Sequence, residues 1–474
     1  MPLILPGNVG SATAATGYNV ANSVRFDRGS SPTMIRTIPD DASSTGSRVK
    51  WTFSTWIKRS SLGTLQALFG SYQSANYHTF IGFNTSDQLD VFDQYNGSKN
   101  GQRITNRVFR DVGAFYHLCI IWDKDNGTDA LKIRIFVNGL EESSFATSSV
   151  PGNATTMGAD NQDYSIGKQE GVGNYLDAYL CETVFQDNVA QNPVDALGEF
   201  DGDSAIFKPI DPSGVTFGTN GFYLDFEDSS NLGNDANGGT DYTETNIAAT
   251  DQSTDTCTNN AATLNPLHNF YAGATFAEGN LKVTTVAGKY QPLLSTIGVS
   301  SGKWYAEFKA TTVTNYTMVG VTGTQATAAA DELGNYADGY AYSGGSSASG
   351  ALRNNNGDAS FSTTYEDGDI IGIYLDLDNN KLYFAENGTL VSGTGLSIVA
   401  PASTSSGMYF FAVGNYSGSQ TPVWEANFIS APYSISSGNT DGEFGNFEYS
   451  TTITGDGASK TFKALCTKNL AEFG

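Results

Sequence analysis

Residues 365–390 read YEDGDIIGIYLDLDNNKLYFAENGTL, two strands and two turns with nothing helical between them. Ile371, Ile373, Leu375 and Leu377 alternate with Gly372, Tyr374 and Asp376, and a period of two places an aliphatic row on one face of a strand. Asp378, Asn379 and Asn380 break the row. The chain returns through Leu382 and Phe384 to Asn387 and Gly388, a pair that tolerates positive φ and favours a tight hairpin. The stretch predicts an antiparallel meander with a buried face.

Residues 117–142, HLCIIWDKDNGTDALKIRIFVNGLEE, repeat this plan. Leu131, Ile133, Ile135 and Val137 form the expected inward row, and Asn138 and Gly139 the turn. Two such hairpins about 250 residues apart predict an all-β chain with two antiparallel β-sandwich domains in series. A length of 474 residues gives each domain enough chain for its own core. The 53 Gly, 24 Tyr and 28 Phe, against 16% charged residues, favour strands and turns over helices.

A formal charge of −24 argues against partners that need a basic surface, and so against nucleic acid and anionic lipid. Met1–Asn8, MPLILPGN, lacks the basic start and apolar length of a signal peptide, and no segment reaches the length of a membrane span, so no membrane insertion is expected. Cys119, Cys181, Cys257 and Cys466 are widely spaced and read as free thiols, with Cys119 and Cys181 buried in strands. The histidines, His78, His117 and His268, do not stand at zinc-ligand spacing to a cysteine pair.

Residues 1–20 are nearly uncharged and rich in Gly, Ala and Thr, and read as an attachment segment that becomes ordered against a partner. The first sandwich is expected over 21–228. In its WTFSTWIKRS stretch, Trp51, Phe53, Thr55 and Ile57 share one face. An Asn/Asp/Thr-rich linker is expected over 229–268, a second sandwich over 269–430 and a C-terminal tail over 431–474. In the second sandwich Trp304, Ala306 and Phe308 alternate with Tyr305, Glu307 and Lys309, and Trp424 is assigned to the core.

The run WTFSTWIKR, LFG and FYHLCIIWDKD…LKIRIFVNGLEE resembles the laminin-G-like, concanavalin A-like jelly roll over roughly residues 20–210. GKWYAEF, MVGV, GYAY, DGDIIGIYLDLDNNKLYFAENG and a closing NF resemble the SPRY domain over about 270–430. That second resemblance implies a sandwich that binds partners through loops and carries no catalytic residues. The domain order, a connector ending TNNAATLNP and the ending ALCTKNL resemble structural proteins of tailed bacteriophages, particularly marine ones. This implies a tail fibre, capsid fibre or decoration protein, made in the host cytoplasm and located in the virion. Other virion proteins and a host-surface glycan or receptor are the implied partners, with a homotrimer by analogy with phage fibres.

The concanavalin A-like fold also houses glucanases, whose E-x-D-x-(x)-E strand carries nucleophile and acid on one face. The nearest match is Glu199, Asp201 and Asp203 in GEFDGD, which lacks the final Glu and is interrupted by Gly. Gly298, Ser300 and Gly302 fit G-x-S-x-G, but a strand follows where the nucleophile elbow needs a helix. No catalytic residue is assigned. Asp376, Asp378 and Asn380 begin like a calcium loop, yet Lys381 and Asn387 occupy the positions of its Gly and Glu. Asp123, Asp125 and Asp129 fail likewise, with Thr128 in the sixth place. The laminin-G-like resemblance still admits Ca2+ held by loops joined in space, with ligands the sequence does not name; no other cofactor is expected.

Sugars stack their apolar faces on aromatic rings while carboxylates take their hydroxyls, so Tyr336, Tyr340, Tyr342 and Asp338 are candidate glycan- or partner-binding residues. Tyr316 and Tyr416, each after an Asn, join them. The expected function is non-enzymatic recognition by a virion protein. The alternatives are a glucanase-type hydrolase in the first sandwich, and a scaffold whose SPRY loops bind another virion protein.

Overall fold

In the computed structural model the described residues are 17–38, 48–155, 157, 162–194, 196–269, 271–326, 331–345, 350–360, 363–416 and 421–474. Two compact units meet in sequence at Thr258 and Asn259. Among the described residues the one α-helix is Thr467–Phe473, and none is long and apolar enough to cross a membrane.

The first unit is a sandwich of two antiparallel sheets. One runs in the order Leu140–Glu141, Ile133–Val137, Tyr116–Asp123, Lys50–Arg59, Ala178–Asp187, Ser23–Phe26 and Gln252–Ser253, with Phe222–Leu224 also paired to Ala178–Asp187. The other runs Phe145–Ser149, Ser98–Val108, Gln88–Tyr95, Tyr77–Phe83, Gln66–Ser74, Asp163–Ile166, Thr33–Thr37 and Thr243–Thr245. Trp51, Phe53 and Ile57 point between the sheets as their alternation requires, and Trp51 stacks on Trp122 with ring centroids 5.6 Å apart. Asn138 and Gly139 both have positive φ, as the predicted turn needs. Leu131 departs from the expected row. It closes the turn Asp129–Leu131 and is 39% exposed, because Lys132 N–H bonds back to Asp129 O and the strand begins at Ile133.

The domain limits read from composition also shift. Thr243–Thr245 pairs with Thr33–Thr37, and Gln252–Ser253 with Ser23–Val24, so residues 229–258 complete the first sandwich where a linker was expected. Buried ion pairs fasten this return: Arg36 to Asp235 at 3.3 Å and Lys58 to Asp255 at 2.8 Å. Of the expected attachment segment 1–20, residues 1–16 lie outside the described residues. Tyr18 and Val20 are packed into the first unit, the Tyr18 hydroxyl donating to Glu182 at 3.2 Å.

The second unit is again two sheets. The larger runs Thr275–Ala277, Lys282–Thr284, Val423–Asn427, Lys303–Thr312, Ile370–Asp376, Lys381–Glu386 and Thr389–Leu390. The smaller runs Leu293–Leu294, Phe410–Asn415, Thr317–Thr322, Gly339–Gly344, Ala351–Asn354 and Gly357–Ser360. Ile371, Ile373, Leu375, Leu377, Leu382 and Phe384 fill the space between them with Trp304 and Trp424.

The meander was expected to bury one face, and it buries both. Tyr305, Tyr374 and Tyr383, on the opposite parity, are covered by Phe447, Ile453, Phe462 and Ala464. Residues 431–474 therefore form an outer layer of this unit where a tail was expected. Lys463–Ala464 adds a parallel strand to Lys303–Thr312, and Glu307 pins the layer down. The fully buried Glu307 carboxylate accepts the backbone N–H of Tyr449 at 2.7 Å and of Glu448 at 3.0 Å, with Tyr305 Oη at 2.9 Å and Asn427 Nδ2 at 3.3 Å.

Burial pushes Glu307 up to about 7, against the pull of these donors. It pushes Asp177 up to about 7 and Glu182 up to about 8. These folded-state values lie above the ordinary carboxyl values of about 4 expected in the unfolded chain. The stabilising contribution is complete below about 4 and is lost as pH rises through about 7 to 8, because the native state holds the extra protons. Urea unfolding is expected to show stability falling over that window. Glu182→Gln, whose two phenol partners can reorient, should make the fall shallower; an unchanged slope would contradict the assignment.

Candidate functional site

The second sheet of the first unit alternates inward Ile81, Phe83, Leu89 and Val91 with outward His78, Phe80, Asp90, Phe92 and Gln94. On the outward face Phe80 and Phe92 stack at 5.1 Å, His78 meets Phe92 edge-on at 5.6 Å, and Tyr72 lies 6.2 Å from His78. The Lys99 ammonium sits over the Phe92 ring. Desolvation lowers the Lys99 pKa to about 8 against the attraction of Asp90 and Asp93, and burial followed by Lys99 lowers that of His78. Asp90 accepts Gln102 Nε2 at 2.8 Å, and its own pKa is raised by burial.

The loop between Asp163–Ile166 and Ala178–Asp187 walls this ledge on one side. Lys168 and Glu170 pair at 3.1 Å, Asn174 Nδ2 bonds Gln169 Oε1 at 2.8 Å, and Asn174 O takes the Ala67 N–H at 2.8 Å. Gly171 has φ +74 and a Cβ there would stand 2.3 Å from Tyr72 Oη, so Gly lets the loop close on the tyrosine. Between loop and sheet lies a shallow cleft, open to solvent and lined by Gly70, Tyr72, His78, Phe80, Lys168 and Glu170 among others. It is a surface cleft that encloses no small molecule, so a ligand there would rest against its rim. Half-exposed Tyr72, a cation and a carboxylate offer one aromatic edge and hydrogen bonds to a polar ring.

The six residues assigned from sequence divide. Tyr316 and Tyr416 come together edge to face at 5.6 Å, joined by Tyr290 at 5.5 Å from Tyr416. Arg353 lies 4.6 Å from the Tyr416 ring and is held by Glu332 at 2.6 Å and Asp358 at 3.0 Å. Tyr336 is exposed, and its backbone carbonyl accepts the Asn355 N–H of the same hairpin region at 3.2 Å. The other three are consumed by the fold. Tyr340 and Tyr342 lie in the core because their parity faces Val319 and Val321, their hydroxyls engaging Val399 N at 3.0 Å and Glu386 at 3.1 Å. Asp338 is buried and accepts Thr324 Oγ1 at 2.7 Å and Ser405 N at 3.1 Å, so its carboxylate joins loops.

The acids of GEFDGD do not converge on a cleft. Glu199 and Asp201 share Lys208 at 3.2 and 3.5 Å, and Asp201 caps its own turn through Ser204 N at 2.9 Å and Asp203 N at 3.1 Å. Among the described residues no three His, Cys, Asp or Glu side chains are grouped to hold a metal ion. Asp376 is taken by Lys460 at 3.1 Å and Asn379, and Asp123, Asp125 and Asp129 stand in and around a turn where Lys124 and Lys132 pair with Asp125 and Asp129.

The sequence reading missed the ledge, although a signal exists. In YHTFIGF, Phe80 and Ile81 are adjacent, so the strand is apolar on both faces, and in QLDVFDQ Phe92 breaks the polar parity of Asp90 and Gln94. Removing Arg353 strands the nearly buried Glu332 carboxylate. Arg353→Ala should therefore cost about 3–5 kcal/mol in urea unfolding, and a loss below 1 kcal/mol would show the pair to be solvated.

No curated protein matches the sequence. Solved structures similar to the chain include the SPRY domain of human HERC1, at 21% identity over 31% of this chain and 87% of that one, TM-score 0.25. A native heptameric SAP-like pentraxin from Limulus polyphemus matches at 16% identity over 44% and 94%, TM-score 0.28. The TRIM65 PSpry domain matches at 12% identity over 35% and 91%, TM-score 0.28. Residues 35–191 match the family profile described as the concanavalin A-like lectin/glucanases superfamily, and residues 303–420 match the SPRY domain.

Proposed function

We propose that this chain is a non-enzymatic recognition protein whose first unit binds surface glycan on the outward face of its second sheet. The observation that carries this reading is the cleft in which half-exposed Tyr72, backed by the buried Phe80, Phe92 and His78, faces the Lys168–Glu170 wall. A sugar ring can set its apolar edge against Tyr72 while its hydroxyls reach Lys168 and Glu170. A concanavalin A-like domain and a SPRY domain both support a binding role, and the engagement of Glu199 and Asp201 with Lys208 speaks against a glucanase.

The proposed setting is the virion of a tailed phage, as a fibre or decoration component, supported by the TNNAATLNP connector, the ALCTKNL ending and the domain order. Single contacts in so small a cleft are weak. Copies displayed on one particle, as a trimer or in larger number, would gain avidity from effective concentration alone. The exposed Tyr336 and Tyr416 favour a second contact, in which the SPRY unit holds another virion protein.

A panel of bacterial surface glycans tests the reading, with product analysis of the same samples. Saturable binding without released oligosaccharide is expected. Tyr72→Ala should weaken it about tenfold, the scale of one stacking contact, whereas Tyr336→Ala should leave it unchanged. Released oligosaccharide, or equal binding by Tyr72→Ala, would contradict the proposal.

A further inference from the structure

Cys181 lies in Ala178–Asp187, one residue beyond the Val24–Leu180 pair, on the outward face of the first unit's other sheet. Cys257 belongs to the segment that leaves Gln252–Ser253 and folds back over the same face, where Thr256 Oγ1 donates to Val20 O at 3.1 Å. Both cysteines pack into one cluster with Val20, Trp56 and Phe207, and the neighbouring Cys181 thiol adds to burial in raising the Cys257 pKa. Cys257 is half-buried and Cys181 fully buried, and neither is oxidised here. Cys119 packs in a different cluster of the same unit, and Cys466 lies in the second unit.

We infer that Cys181 and Cys257 are a paired dithiol that a small disulfide such as oxidised glutathione converts to one intramolecular disulfide, stapling the end of the first unit to its central strand. The Cys257 thiolate attacks the small disulfide and releases one thiol. The Cys181 thiolate then attacks Cys257 Sγ and displaces the second. Two electrons pass from the protein to the small disulfide, and the two protons lost by the cysteines end on its thiols. Burial holds the Cys257 thiol well above its ordinary range, which makes closure slow at neutral pH and quicker in alkaline buffer. The staple would close the loop from Cys181 to Cys257, restricting the unfolded chain, and would hold the segment that carries Asp251 against Arg25 and Asp255 against Lys58.

The test incubates the full folded chain with oxidised glutathione in mildly alkaline buffer, then blocks free thiols with iodoacetamide in denaturant and maps the peptides by mass. One peptide pair joining Cys181 to Cys257 is expected, with Cys119 and Cys466 alkylated. The unfolding temperature should rise by several degrees, a shift that Cys257→Ser abolishes. Alkylation of all four cysteines after prolonged incubation, a glutathione adduct left on Cys257, or a bridge from Cys257 to any other thiol would overturn the inference. The mass map reads the wild-type protein, so it stands whether or not the serine variant folds.

Discussion

A strand has two faces, and a sandwich of two sheets consumes only one face of each; the outer faces must be made polar or be covered. This constraint accounts for much of what surrounds the two cores. In the second unit, Tyr305, Tyr374 and Tyr383 are roofed by the chain after Ile429, and Met318, Ala341 and Ala412 pack with Leu333 from the neighbouring loop. In the first unit, Cys119, Ile121, Phe136 and Val184 are roofed by Leu197, Phe217 and their neighbours. Among the described residues the remaining outer face carries a small apolar cluster of Ala67, Phe80 and Phe92 with Leu65, with Asp90 and Gln94 on the same strand face as Phe92 and Lys168 lining the cleft beside Phe80. Half-exposed Tyr72 beside that cluster is the aromatic edge left for recognition.

The covering layers are positioned by polar groups taken out of water. Lys58 with Asp255, Arg36 with Asp235, and Glu307 with the backbone of 448–449 each tie a late segment to an early strand. Such pairs add little net stability over apolar packing, but breaking one partner leaves an uncompensated buried charge. They therefore select this arrangement of layers over others with similar apolar area. The raised pKa values of Glu182 and Glu307 are the electrostatic mark of the same burial.

Alternation made the two sandwich cores legible from the sequence, since Ile371, Ile373, Leu375, Trp51 and Phe53 lie where a period of two puts them. The two Asn-Gly turns followed from their tolerance of positive φ. Layers built from irregular chain were not legible. Segments 229–258 and 431–474 are rich in Asn, Ser, Thr and Gly, a composition shared by solvent-facing loops and by short strands that pack through backbone and a few aromatics. Tyr340 and Tyr342 looked like ligand residues because tyrosine suits both a core strand and a sugar platform, and only parity against Val319 and Val321 decides between them. His78 and Phe92 were passed over because each strand was read for its buried row alone.

The claim that the outward sheet face of the first unit is the recognition surface is tested most directly by hydrogen–deuterium exchange of the full chain with and without a bound surface glycan. Protection is predicted in Tyr77–Phe83, Gln88–Tyr95 and the 167–176 loop, with the second unit unchanged. Protection confined to the second unit, or to the GEFDGD hairpin of the first, would contradict the account.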